Sequence, residues 1–148
     1  MCDIFVGPIY GELTYGSMAK VIRVLEEDCN FNAKSKIADI GSGLGKPIFH
    51  IANVCQPMLA VGIEVEELRW KLSMHNLKCI YEHSLSEDSP LRCNGVWFLH
   101  ADIAKAETFD PFTHIYAFDI GMPDDLFKKM AEMFNNRFEN LETKPLRN

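Results

Sequence analysis

No run of apolar residues approaches the length of about 18 that a membrane-spanning helix requires, so a membrane span is excluded. The five cysteines, Cys2, Cys29, Cys55, Cys79 and Cys93, form no C-x-x-C pair, and their odd number argues against a closed disulfide framework. The N-terminus also lacks a signal-peptide pattern. These absences predict an intracellular, reducing compartment, with the thiols packed as small buried side chains. The five histidines (His50, His75, His83, His100 and His114) show no zinc-ligand spacing, and no metal is expected. A basic tail or cluster is missing too. The 15 Lys and Arg against 21 Asp and Glu leave a net charge of −6, which predicts no strong nucleic-acid binding by this chain alone. There is no internal repeat and no low-complexity segment.

What is present is an ordinary globular composition. At 148 residues and 47% hydrophobic content, the chain can build one domain around a core. Residues 1–35 read as an N-terminal loop and a helix. Met18, Val21, Ile22 and Leu25 recur at helical spacing, with Thr14 or Ser17 as the cap. Strands are predicted at residues 37–40, 59–64, 96–99 and 114–118. Helices are predicted at 46–55, from Glu66 and Glu67 to about Lys78, and from Pro123 onward. Residues 82–95 read as a polar surface loop, and 104–112 as irregular. Phe127, Met130, Phe134 and Phe138 mark the expected buried face of the last helix. Alternating strands and helices predict an α/β fold, a parallel sheet with helices on both faces.

The chain is organised around Asp39-Ile40-Gly41-Ser42-Gly43-Leu44-Gly45-Lys46-Pro47. An apolar strand ends in an acid, glycines follow at alternate positions, and Pro47 suits the first turn of a helix. Glycines there allow unusual φ values and direct approach of a ligand to the backbone. Acids end the successive strands: Asp39, Glu64, Asp102 and Asp119. In open α/β sheets ligands bind outside the carboxyl ends of the strands, so all four are expected to line one crevice. A carboxylate at Glu64 can accept two hydroxyls at once, and Asp102 can accept from an amino group, with Ile103 beside it to pack on a ring. Each acid alone has a plainer reading, as the cap of the helix that follows it.

The G-x-G-x-G spacing preceded by Asp39 resembles motif I of the class I S-adenosylmethionine (SAM) methyltransferases. In that family the acid and the glycine loop hold the amino-acid end of the cofactor. Tyr10-Gly11-Glu12, the following helix, Asp39 to Lys46, and Val61-Gly62-Ile63-Glu64 together resemble the non-SET histone-lysine methyltransferases named for disruption of telomeric silencing. Ala101-Asp102-Ile103 is similar to that family's G-D-F segment, and Phe118-Asp119-Ile120 stands where it has N-N-F. The likeness covers most of residues 10–138.

The resemblance implies a Rossmann-like three-layer sandwich in one domain, with the core at 36–138. The family's terminal strands are missing after the fourth strand and its helix, so the fold is expected to be truncated. SAM would be held by Tyr10, Gly11, Glu12, Asp39, Gly41, Gly43, Gly45, Lys46, Glu64, Asp102 and Ile103. Tyr10 and Asp119 would serve catalysis: Tyr10 in a loop folded over the cofactor, Asp119 at the target-lysine channel. Lys46 departs from the family's glutamine, Asp119 from its asparagine, and Leu13 from a frequent hydroxyl residue.

The implied reaction is an in-line methyl transfer from sulfonium to a lysine amine of a protein substrate, a nucleosomal histone among the candidates; a histone substrate would place the protein in the nucleus, any other in the cytoplasm. Two other readings stay open. One is a class I methyltransferase acting on another protein or a small molecule. The other is a non-catalytic SAM-binding module paired with another subunit that covers the open sheet edge.

Overall fold

The computed structural model describes residues 13–85, 93–118 and 121–142, with no side chains described beyond 135. Tyr10, Gly11, Glu12 and Asp119 lie outside the described residues, as does the side chain of Phe138.

Helix α1 (Tyr15–Asp28) begins two residues before Ser17, because the Thr14 hydroxyl accepts from the Ser17 N–H at 3.2 Å and closes the first turn. It buries Met18, Ile22 and Leu25. Strand β1 (Lys36–Ile40) leads through the glycine loop into α2 (Lys46–Cys55), which has Pro47 in its first turn as expected. Strand β2 (Leu59–Glu64) is buried along nearly its whole length, as a strand covered on both faces must be.

Helix α3 (Glu67–Ser84) runs six residues past its expected end at Lys78. Nothing between Cys79 and Ser84 breaks a helix, and Leu77 and Ile80 anchor it on the core. Strand β3 (Val96–His100), a single 3-10 turn (Ile103–Lys105), strand β4 (His114–Ala117) and helix α4 (Asp124–Glu142) complete the described chain.

The sheet is parallel throughout, in the order β3-β2-β1-β4. One face carries Ile37, Ala60, Val96 and Phe98 against α1, α2 and α3. The other carries Ala38, Ile40, Val61 and Ile63, and packs on Phe109, Met130 and Met133. The result is the expected three-layer Rossmann-like sandwich, with β4 at one edge of the four-stranded sheet.

Two expectations need correction. The inward face of α4 is Leu126, Met130 and Met133, while Phe127 and Phe134 each remain 43% exposed. The cysteines are not uniformly buried: Cys93 is, Cys55 is half-buried, and Cys29 and Cys79 are exposed.

Candidate functional site

Parallel pairing in register brings the carboxyl ends of the strands to one edge. Asp39 pairs with Gly62, Ile40 with Ile63, and Glu64 with His100, so the tips of β1, β2 and β3 lie side by side. The glycine loop folds over the β2 tip, where Gly41 and Ser42 both donate to the Ile63 carbonyl, at 2.9 and 3.1 Å. Gly41, Gly43 and Gly45 have φ values of +76°, +54° and +88°, which only glycine adopts at little cost. A Cβ at Gly45 would lie 2.4 Å from Phe98, so this glycine also lets α2 sit down on the sheet.

Glu64 is 3% exposed and tied to that loop. Its Oε2 accepts from Gly43 N–H at 2.8 Å, while Oε1 accepts from Glu66 N–H at 2.8 Å and from Arg69 Nη2 at 3.2 Å. Three of roughly four acceptor positions are thus filled. A bidentate grip on two hydroxyls therefore requires Arg69 to turn away.

Asp39 lies in the opposite condition. It is 1% exposed, and its Oδ2 has no hydrogen-bond partner. Burial, and secondarily the charge of Glu64, pushes its carboxyl up to about 8. The Ser42 hydroxyl, 3% exposed, is likewise buried without a partner. On the far side, Tyr116 pairs with Asp39 across β1 and β4, and burial together with the Asp39 charge raises its phenol to about 12.

Asp102 caps the 3-10 turn, its Oδ1 accepting from Ala104 N–H at 2.9 Å. Ile103 packs against the core of the opposite face. Lys46 stands at the first position of α2 and lines a groove of about 350 Å³ with Leu44, Phe49, His50, Asn76, Cys79 and Ile80. None of the described strand-tip acids, Asp39, Glu64 and Asp102, lines that groove. Within it, burial, then the nearby Lys46 charge, lowers the His50 pKa.

Sequence reasoning groups Asp39, Glu64 and the three loop glycines, and the structure brings them together at the strand tips. It passes over four contributors. Ser42 is hidden inside the motif. Arg69 gives no local signal of its contact with Glu64. Tyr116 reads only as an apolar strand position. Gly62 could have been found, since a glycine inside a strand marks a close approach; its Cβ would meet Phe98 at 2.4 Å and the Ser42 hydroxyl at 2.6 Å. A fifth feature at the rim is the His100 ring, which stacks on Trp70 at 5.3 Å between centroids and has Nε2 3.1 Å from the Val65 carbonyl.

The model of one protein family, described as "Histone methylation protein DOT1", matches residues 3–86, more than half of the chain. No curated protein matches the sequence. Solved structures similar in fold include a SAM-dependent methyltransferase from Thiobacillus denitrificans in complex with S-adenosyl-L-homocysteine (TM-score 0.57, 16% identity, 86% of this chain and 47% of that one). Another is a SAM-dependent methyltransferase from Geobacter sulfurreducens in complex with the same molecule (TM-score 0.59, 14% identity, 86% and 47%). A third is PKMT2 from Rickettsia typhi in complex with AdoHcy (TM-score 0.60, 17% identity, 86% and 24%). The chain spans less than half the length of each of these three.

Proposed function

The chain belongs to the histone methylation protein DOT1 family, and from that premise we propose that it binds SAM across the tips of β1, β2 and β3 and serves transfer of the cofactor's methyl group to a protein lysine. The observation that carries the cofactor reading is the pair of acids beneath the glycine loop. Asp39 is buried with an unsatisfied oxygen, and Glu64 is anchored on the Gly43 N–H. A buried polar atom without a partner is costly and marks a place where a ligand group can supply one. SAM is a cationic nucleoside, and two acids at adjacent strand tips suit it. The three neighbours named above are also methyltransferases or complexes with the demethylated cofactor.

In this reading the glycine loop and Asp39 hold the amino-acid end of SAM. Glu64 holds the ribose once Arg69 releases it, and Asp102 with Ile103 sits at the adenine rim. Tyr10, Gly11 and Glu12 close over the cofactor, and Asp119 lines the lysine channel. SAM, when bound, supplies an electrophilic methyl group. The chain's own work is to align donor and amine and to keep water out. The amine must lose its proton before attack, since its free pKa is about 10.4. The histone as the lysine-bearing substrate, and the nucleus as the location, rest on the family match alone.

Isothermal titration with SAM tests the cofactor half, with saturable binding expected. No heat at millimolar SAM overturns it. Labelled SAM with nucleosomes and with free core histones tests the substrate half. Label on histone lysines supports the reading, and label found only elsewhere rejects it.

One observation favours a companion reading. Among the described residues β4 has a partner strand on one side only, and an exposed strand edge invites pairing. We infer that another strand, from this or a second chain, covers it in the active assembly.

A further inference from the structure

Asp39 and Glu64 are adjacent carboxyls with opposite surroundings. Glu64 is supplied with three donors, one of them the Arg69 guanidinium. Asp39 is as deeply buried, yet its Oδ2 receives none. Among the described residues, the groups that act on Asp39 include no cation. From β2 comes the Glu64 carboxylate and from β4 the Tyr116 phenol, while the Ser42 hydroxyl, beside Gly62 on β2, is itself unpartnered. On α3, Arg69 is engaged with Glu64, Lys71 with Glu67 and Lys78 with Glu82, and Lys46 at the start of α2 acts on His50.

An unpaired buried carboxylate beside a second carboxylate is among the least favourable arrangements in a protein, and such a group takes up a proton instead. We propose that Asp39 is held as the neutral acid in the ligand-free protein and that the cationic cofactor displaces its proton to solvent on binding, so that SAM uptake and proton release are one coupled step. The inference rests on the cofactor reading above and adds to it a proton stoichiometry. The step balances: the carboxyl O–H breaks, the proton leaves to bulk water, and the positive charge of the cofactor takes its place against the carboxylate. The high position of the Asp39 carboxyl, about 8, sets the window in which this occurs.

The test is titration calorimetry of the whole chain with SAM at pH 7 in two buffers of very different ionisation enthalpy. The expected result is a binding enthalpy that differs between buffers by close to one released proton. Affinity should rise about tenfold per pH unit up to about pH 8 and level off beyond it. Asp39→Asn, an uncharged mimic of the protonated acid, should bind with the same enthalpy in both buffers. Carbon-13 spectra of the aspartate carboxyls give a second readout that needs no variant. One carboxyl should titrate near pH 8 in the ligand-free protein and lose that titration when SAM is bound. Saturable binding with identical enthalpies in both buffers, or no aspartate titrating above the usual carboxylate range, overturns this inference and leaves the cofactor reading standing. Absence of any binding overturns both.

Discussion

At the scale of single residues, the site is governed by which polar atoms have partners. Asp39 makes this measurable without a ligand. Its carboxyl is raised in the folded chain, by burial first and the Glu64 charge second, above its unfolded value. Between about pH 4 and about pH 8 the folded state therefore binds more protons than the unfolded one, and stability falls as pH rises through that window. Asp39→Asn should abolish the fall, and urea melts at several pH values read it directly; a parallel pH dependence in the variant contradicts the assignment. Glu64→Ala should act on two quantities at once. It removes the acceptor of the Gly43 and Glu66 N–H groups and of Arg69, with an expected loss of about 1–3 kcal/mol in both stability and SAM affinity. An unchanged dissociation constant removes Glu64 from the site. Gly62→Ala tests packing alone, because its backbone needs no positive φ. The new methyl would press on Phe98 and the Ser42 hydroxyl, and a cost of about 1–3 kcal/mol in thermal or urea melts is expected from overpacking.

The elements show what a one-dimensional pattern can and cannot convey. Strands β1 and β2 are legible because a short, continuous apolar run closing on an acid fits a buried parallel strand better than any amphipathic element. The glycine loop is legible because its spacing is tied to backbone geometry rather than to neighbours. Helix α4 is legible as a helix but not in its rotation. Leu126, Phe127, Met130, Met133 and Phe134 span a broad apolar arc, and two stripes share Met130. Side-chain size favours the phenylalanines as the buried stripe. The sheet instead accepts Leu126, Met130 and Met133, and the Lys129 ammonium donates to the Ala104 carbonyl on the same flank. Only the shape of the opposing surface makes that choice, and no local pattern encodes it. The length of α3 is hidden for a related reason: Ser73 is its one fully buried residue, so its periodicity is weak. The corrected rotation of α4 is testable. Met130→Ala should cost about 2–5 kcal/mol as a core truncation, whereas Phe127→Ala should cost less than about 1 kcal/mol. Equal losses in urea melts would restore the phenylalanine face.

For the molecule as a whole, the order β3-β2-β1-β4 fixes where a ligand can lie. The chain moves outward from β1 through β2 to β3, then returns to the other side of β1 for β4, and the reversal opens a crevice at the β1 and β4 tips. Asp39 and Tyr116 pair across that junction, which is why the buried acid and the proposed cofactor occupy the same end of the sheet. The same topology leaves the outer side of β4 without a partner among the described residues, and backbone amides report whether that side is covered. Amides along a strand point alternately to its two sides. Thr113 N–H donates to the Lys36 carbonyl, so the amides of Ile115 and Ala117 face β1, and those of His114 and Tyr116 face outward. In amide hydrogen exchange followed by NMR, the isolated chain should protect Ile115 and Ala117 strongly, while His114 and Tyr116 exchange orders of magnitude faster. Protection of all four amides would mean that a strand already lies along β4 in solution, and light scattering would then tell a second copy from a segment of the same chain. Alternating protection that becomes uniform on addition of a binding partner identifies β4 as the docking edge.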